Sequence, residues 1–226
     1  MARRIVLIIT AAVMLFTTPA WAADASKADN KADLKVKITR DISSFTVMHN
    51  GKPVVIQRNQ NQQNTIVKDY ALTSRVCPPF CIQPMHLLPG VETIGELEML
   101  NYIKRASKGD PNLLIIDSRT PDWVAKGTIP TSINIPWTQL YQQASNYEPM
   151  VVEGILTDRF GATVHDGIWN FSNVKDLVFF CNGPWCGQSP TNIKALVSMG
   201  YPAHKLHWYR GGMQSWHAFG LTTVTP

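Results

Sequence analysis

The sequence predicts an α/β protein, in which a doubly wound parallel sheet carries helices on both faces and follows a small β-rich N-terminal region. The runs LLIID, INIP and LVFFC are nearly all apolar, as is typical of parallel strands buried on both faces. The intervals between these runs have helical spacing, which parallel strands need for their crossovers. Residues 34–58 differ, because apolar and polar residues alternate there around Asn50-Gly51, the preferred two-residue hairpin turn.

The first 33 residues are predicted to be a signal peptide and a short leader. Arg3 and Arg4 precede an apolar run over 5–16, and Ala20-Trp21-Ala22 then has the small-residue pattern of a cleavage site. The run is shorter than the roughly 20 residues of a membrane-spanning helix, and an uncleaved anchor is the alternative. We therefore expect residues 1–22 to be removed, residues 23–33 to be a flexible polar leader, and the mature protein to be periplasmic without a membrane anchor.

Composition excludes several other classes of protein. The chain has 226 residues, of which 45% are hydrophobic and 16% charged, so it can bury a full core and is neither disordered nor collagen-like. The net charge is +5, and the Lys and Arg residues are scattered, so we expect no nucleic-acid partner. The four cysteines form two close pairs, Cys77 with Cys81 and Cys181 with Cys186. In an oxidising compartment such pairs are either disulfides or redox groups.

The N-terminal region, residues 34–89, is predicted to hold three short strands and a rigid connector. The first strand is the alternating segment 34–39, and the segments SFTVMH and KPVVIQR flank the turn. The Asn and Gln residues over 59–64 are predicted to be a solvated loop. The segment CPPFCIQP contains three prolines and cannot continue a helix or a central strand. We expect this region to serve as a docking or dimerisation surface for a protein partner.

The second region, residues 90–226, is predicted to alternate helices and strands. The sequence Thr93-Ile94-Gly95-Glu96 has a capping-box pattern and predicts a helix that ends at about Ala106. Further helices are predicted over 138–145, 150–160 and 191–199. Asp166-Gly167 stands between ATVH and IWNF and predicts a small surface hairpin.

The strongest candidate for chemistry is Cys181, which ends a buried strand. Ser189-Pro190 has the pattern of an N-cap followed by proline at the first helical position. Between the strand and this cap lies a loop formed by Asn182, Gly183, Pro184, Trp185, Cys186, Gly187, Gln188 and Ser189. Main-chain N–H groups of such a loop stabilise a thiolate and lower its pKa. Covalent chemistry also requires this sulfur to be open to solvent, and the alternative is a buried cysteine that acts as a small hydrophobe.

At these residues the chain resembles the rhodanese family of sulfurtransferases. One matching segment carries Asp117, Arg119, Trp123, Gly127, Ile129-Pro130, Ile133-Asn134 and Pro136. Another, near the C-terminus, carries Gly211, Gly212, Trp216 and Gly220. With the cysteine loop, these segments cover about residues 90 to 224 in the family's order.

The resemblance implies a rhodanese-like fold and covalent sulfur transfer. The Cys181 thiolate would attack the outer sulfur of thiosulfate, a polysulfide or a persulfide, and a thiol or other nucleophile would accept the sulfur from the resulting persulfide. The partners would then be a small sulfur-containing donor and a thiol acceptor, with no cofactor and no metal. For Asp117 and Arg119 we expect a structural ion pair rather than a catalytic pair.

The loop departs from the family's pattern in its length and charge. Family loops commonly reach the capping Ser or Thr six positions after the cysteine and carry a basic residue, whereas Ser189 stands eight positions after Cys181 with no Lys or Arg between them. A wider, less cationic loop makes anionic thiosulfate a weaker candidate for the donor. Arg210 is a candidate anion contact, with a solvated surface arginine as the alternative. Related phosphatases need an arginine where Gly187 stands, which argues against phosphate ester hydrolysis.

The second cysteine of each pair leaves alternatives open. Cys186 either resolves a Cys181 persulfide by forming a disulfide or packs as a loop residue. If Cys186 resolves the persulfide, the alternative function is that of a thiol-disulfide or persulfide reductase. A non-catalytic sulfur carrier is a further alternative. Cys77 and Cys81 are expected to form a disulfide, with transfer of sulfur or electrons from Cys181 as the functional alternative. A metal site formed by this pair with His86 is a further alternative, but it lacks a fourth ligand.

Overall fold

The computed structural model describes residues 34–226. The predicted signal peptide and leader, residues 1–22 and 23–33, lie outside the described residues. Within the described part of the chain, none of the helices combines the length and the apolar character that crossing a membrane requires.

The described residues contain nine strands in three sheets. They are β1 (Ser44–His49), β2 (Lys52–Gln57), β3 (Glu92–Ile94), β4 (Leu113–Asp117), β5 (Ile133–Asn134), β6 (Thr163–His165), β7 (Ile168–Asn170), β8 (Asp176–Phe180) and β9 (Leu206–Tyr209). Five of them form one sheet in the order β3-β9-β8-β4-β5, and every neighbouring pair in it is parallel. The predicted parallel sheet is confirmed.

Helices cover both faces of this sheet. They are α1 (Lys68–Ala71), α2 (Glu96–Ser107), α3 (Pro121–Val124), α4 (Trp137–Leu140), α5 (Pro149–Gly154), α6 (Gln188–Ser198) and α7 (Gly212–Ala218). A π-helical turn (Ile155–Arg159) continues α5, and a 3-10 turn (Ala203–Lys205) precedes β9. On β8, Leu177 and Phe179 belong to the apolar cluster of α4, α5 and α6, whereas Val178 and Phe180 belong to that of α2 and α7. Alternate residues thus serve opposite faces, and the doubly wound fold is confirmed.

Both predicted hairpin turns are present. Asn50 and Gly51 have φ angles of 49° and 74°, and they join the antiparallel strands β1 and β2. Asp166 and Gly167 have φ angles of 50° and 76°, and they join β6 and β7. Two consecutive residues in the left-handed region make the turn that matches strand twist.

The strand predicted over 34–39 is wrong, because a side chain takes the place of a neighbouring strand. The N–H of Val36 donates to Oε1 of Gln60 at 3.1 Å, and Nε2 of Gln60 donates to the Val36 carbonyl at 2.8 Å. One amide group therefore satisfies both main-chain groups of Val36, and this stretch stays irregular. Gln60 belongs to the polar run that was predicted to be a solvated loop.

The start of α2 also differs from the prediction. Thr93, the expected N-cap, lies in β3, and its hydroxyl donates to the Met85 carbonyl. The N-cap is Gly95, whose N–H donates to the Glu98 carboxylate at 3.1 Å. The acidic half of a capping box is therefore present two positions later than expected, without a capping hydroxyl.

The N-terminal hairpin packs on the face of the sheet that carries α2. Val47 and Ile56 are buried in the same apolar cluster as Met99 and Ile103 of α2. The N–H of Thr222, near the C-terminus, donates to the carbonyl of Gln57 at 3.1 Å. The proposed boundary between residues 34–89 and 90–226 remains a prediction.

Candidate active site

Cys181 directly follows β8, at the carboxyl end of a strand inside the parallel sheet. The loop continues to Gly187, which is the N-cap of α6. The predicted cap at Ser189 is therefore wrong, because the helix begins two positions earlier. The hydroxyl oxygens of Ser189 and Ser118 instead lie 3.1 Å apart. Pro190 fits in the first turn because N–H groups there have no acceptor within the helix.

Hydrogen bonds outweigh burial at the Cys181 sulfur. Burial by itself raises the pKa of this thiol, but hydrogen bonds from the Cys186 thiol, from the N–H and hydroxyl of Ser189 and from the Gly183 N–H favour the thiolate. The resulting pKa lies below the ordinary cysteine value, in the direction that the loop pattern predicts. The Cys186 carbonyl opposes this effect, since it lies 3.5 Å from Cys181 Sγ and accepts a hydrogen bond only from the protonated thiol.

Cys186 holds its proton more tightly than Cys181. Burial raises the pKa of the Cys186 thiol, and its hydrogen bond to Cys181 and the negative charge there raise that pKa well above the ordinary value. The Cys186 sulfur also lies 3.6 Å from Oε1 of Gln188, which can accept the thiol proton in a hydrogen bond. Of the two sulfurs, Cys181 therefore favours the thiolate form, and Cys186 keeps its proton.

Gly212, the second glycine of the RGG sequence, lets α7 approach the loop. The N–H of Met213 donates to the Cys181 carbonyl at 2.9 Å, and that of Gln214 donates to the Asn182 carbonyl at 2.8 Å. Gly212 has a φ of +54°, and a Cβ at this position would overlap the Cys181 carbonyl oxygen. The sequence pattern around this glycine therefore reflects the contact between α7 and the cysteine.

Asp117 and Arg119 form a fully buried ion pair at the carboxyl end of β4, with 2.6 Å between Oδ2 and Nη2. Arg119 also donates to the Gly127 carbonyl at 2.7 Å, and the Thr128 hydroxyl donates to Asp117 at 2.7 Å. Both charges are thus hydrogen-bonded as burial requires. The ion pair ties β4 to the segment before β5, and its structural role remains a prediction.

Tyr70, from α1, connects the ion pair with the cysteine loop. Nη1 of Arg119 donates to the Tyr70 hydroxyl at 3.1 Å, and that hydroxyl donates to Oδ1 of Asn182 at 3.2 Å. Burial raises the pKa of Tyr70 to about 12, so its hydroxyl keeps the proton that it donates. No local pattern marks Tyr70, which stands 112 positions before its loop partner, and the sequence alone did not predict its role.

The CPPFC segment lies over the loop. Cys77 and Cys81 form a disulfide, and residues 77–81 are called the disulfide ring below. Phe80, inside this ring, packs edge-on against Trp185 of the cysteine loop, with 5.6 Å between the centroids. The predicted connector is therefore also part of the site.

Two arginines and a glutamine hold this segment in place. The N–H of Gln83 donates to the Pro184 carbonyl at 2.8 Å. Nη2 of Arg210 donates to the Gln83 carbonyl at 2.8 Å, so the side chain considered as an anion contact binds the main chain of the connector. The Arg75 guanidinium lies 4.0 Å from the centroid of the Trp185 ring. This distance is that of a cation–π contact.

A cavity of about 370 Å³ lies between the disulfide ring and the loop. Its aromatic walls are Phe80, Trp123, Trp137 and Trp185. Cys186 also lines the cavity, whereas Cys181 is 2% exposed. The expectation of a Cys181 sulfur open to solvent is therefore wrong, because the loop closes over it and presents Cys186 to the cavity. Within residues 34–226, no three His, Cys, Asp or Glu side chains are placed to hold a metal ion.

The chain is similar in sequence to a known protein family and to a characterised protein. The family model described as "Rhodanese-like domain" matches residues 100–219. A thiosulfate:glutathione sulfurtransferase of Saccharomyces cerevisiae is 30% identical over 114 residues, which are 50% of this chain and 70% of the yeast protein.

Two solved structures are similar to parts of the chain. A human single-domain sulfurtransferase is 21% identical, with a TM-score of 0.33, over 55% of this chain and 93% of the human one. A 3-mercaptopyruvate sulfotransferase of Escherichia coli is 19% identical, with a TM-score of 0.34, over 54% of this chain and 40% of the bacterial one.

Proposed function

Because the chain belongs to the rhodanese-like domain family, we propose that it is a sulfurtransferase that carries sulfane sulfur on Cys181. The observation that supports this most directly is the sulfur of Cys181 at the end of a parallel strand, where hydrogen-bond donors lower its pKa. A thiolate near neutral pH is the nucleophile that sulfur transfer requires.

In the first half-reaction the Cys181 thiolate attacks the outer sulfur of a donor such as thiosulfate, a polysulfide or a persulfide. A bond forms between Sγ and this sulfane sulfur, and the bond from the sulfane sulfur to the rest of the donor breaks. The rest of the donor leaves with the electron pair of the broken bond. The N–H groups of Gly183 and Ser189, which already face Cys181, stabilise the negative charge of the persulfide.

In the second half-reaction a thiol acceptor, as its thiolate, attacks the terminal sulfur of the persulfide. The sulfur–sulfur bond to Cys181 breaks, and the enzyme thiolate is restored. The cycle balances without an oxidant or a reductant. Since Cys181 is buried, each half-reaction requires the loop or the segment above it to move.

Mass spectrometry of the intact protein tests this proposal. Reduced protein incubated with a sulfane donor should gain one sulfur, which peptide mapping should place on Cys181. Subsequent addition of a thiol should remove it. A Cys181→Ser variant that transfers sulfur as fast as the wild type contradicts the proposal. Loading without any transfer would instead support a sulfur carrier.

A persulfide reductase is the second candidate function, because Cys186 lies beside Cys181 in the loop, with its carbonyl oxygen 3.5 Å from Cys181 Sγ. After losing its proton, Cys186 would attack the inner sulfur of the Cys181 persulfide, form a Cys181–Cys186 disulfide and release hydrosulfide. An external dithiol would then reduce this disulfide.

The Cys186→Ser variant separates the two functions. If the protein is a sulfurtransferase, the variant still transfers sulfur to an external thiol. Only the hydrogen bond from residue 186 to Cys181 is weakened. If the protein is a reductase, the variant releases no hydrosulfide in a single turnover without added thiol. Hydrosulfide from the wild type and none from the variant would therefore establish the second function.

A further inference from the structure

The cavity beside the loop has a wall that comes from outside the matched family segment. Phe80 and Pro79 of the disulfide ring line it together with Trp185 and Cys186 of the loop. The matched segment begins at residue 100, so the disulfide ring lies outside it. A part of the binding surface next to the two thiols is thus carried by the N-terminal region.

This cavity has no charge of its own to offer a substrate. None of the described residues that line it is charged, and four of them are aromatic. Nearby cations lie against the rings themselves, since Arg75 contacts Trp185 and Lys126 lies 4.5 Å from the centroid of Trp123. They disfavour a cationic ligand. A small dianion would lose hydration here, and neither cation lines the cavity to pair with it directly, so its binding is costly.

From these observations we propose that Phe80 is a specificity-determining residue, which selects sulfane donors that carry an apolar substituent. The proposal rests on the sulfurtransferase function given above. The substituent packs between Phe80 and the tryptophans, and its sulfane sulfur points towards the two thiols. The disulfide between Cys77 and Cys81 limits the freedom of Phe80 and so keeps the wall in place.

Thiosulfonates isolate the substituent from the reacting group. Benzenethiosulfonate, methanethiosulfonate and thiosulfate all present a sulfane sulfur on a sulfonyl centre. In each case Cys181 forms a bond to the sulfane sulfur, the sulfur–sulfur bond breaks, and a sulfinate, or sulfite from thiosulfate, leaves with the electron pair. Only the phenyl, methyl or oxide group differs at the cavity.

The experiment measures kcat/KM for the three donors with one thiol acceptor, in the wild type and in Phe80→Ala. Burial of a phenyl ring predicts that the wild type favours benzenethiosulfonate over methanethiosulfonate by roughly tenfold or more, with thiosulfate used least. In Phe80→Ala this ratio should fall several-fold, and in Phe80→Leu it should fall less. The reactivity of each leaving group is the same with the wild type and with a Phe80 variant. A change in the ratio between them therefore results from the altered wall of the cavity.

The matched control is Ile82→Ala. Ile82 belongs to the same segment, but its side chain is 85% exposed and does not line the cavity. The ratio of kcat/KM for the two thiosulfonates in Ile82→Ala should therefore equal that of the wild type. An unchanged ratio in Phe80→Ala overturns the proposal and leaves the sulfurtransferase function intact. A protein that takes sulfur from none of the three donors also overturns the proposal for Phe80. Loading of Cys181 from a polysulfide, followed by mass spectrometry, then decides whether the sulfurtransferase function stands.

Discussion

Ser189 offers Cys181 two donors at once, its main-chain N–H and its hydroxyl. Removing the hydroxyl in Ser189→Ala should raise the pKa of Cys181, because one hydrogen bond to the thiolate is lost. A hydrogen bond to a charged group contributes about 1.5–3 kcal/mol, so we expect a shift of about one pH unit or more. The thiolate fraction rises as the pH rises through this pKa, so the variant should react more slowly near neutral pH and equally fast in alkali.

Alkylation of Cys181 by iodoacetamide, followed by peptide mapping across the pH range, measures this shift. Ser198→Ala is the control, since Ser198 lies on the same helix and its hydroxyl bonds to the Ala195 carbonyl. Identical pH midpoints for Ser189→Ala and the wild type would show that the main-chain donors suffice.

At the scale of elements, the disulfide ring limits access to the loop. We expect the Cys77→Ser/Cys81→Ser double variant to alkylate at Cys181 about tenfold faster than the wild type, because the contacts opposing an opening are individually modest, about 1 kcal/mol each. The comparison is made above the pKa of Cys181, where ionisation no longer differs. Equal rates would mean that the cysteine loop closes over Cys181 without help from the ring.

Local signals predicted the elements that depend on local physics. Asn50-Gly51 and Asp166-Gly167 favour left-handed backbone and gave both hairpins, and the apolar run of β4 identified a central strand. The prediction failed where a distant side chain decided the outcome. Gln60 replaced a strand partner for Val36, and no pattern near residue 36 contains that information.

The site follows the same division. Cys181 and its loop stand in one contiguous segment, where strand, glycines and helix start can be recognised together. Tyr70 and Phe80 reach the loop from sequence positions more than a hundred residues away, through one hydrogen bond and one ring contact. Cys181 is buried in the folded protein, and the sequence therefore predicted the nucleophile but not its burial.

For the whole molecule, the structure has the N-terminal hairpin share a core with the sheet. Ile56 is fully buried in the cluster that contains α2, so Ile56→Ala should destabilise the entire described part by about 2–5 kcal/mol. Val55→Ala, on the exposed side of the same strand, should cause little change.

Tryptophan fluorescence during urea unfolding checks this expectation. After residue 22 every tryptophan lies beyond residue 89, so the signal reports only the second region. A midpoint shifted by Ile56→Ala shows that the two regions unfold together. An unshifted midpoint shows that residues 34–89 unfold separately, as an independent domain would.

The hydrogen bond from Tyr70 to Asn182 limits how this protein can be cut and recombined. A chimera that transplants only residues 100–219 onto a foreign leader would remove the Tyr70 hydroxyl, which is a hydrogen-bond partner of both Arg119 and Asn182. Such a transplant must also include helix α1, which carries Tyr70.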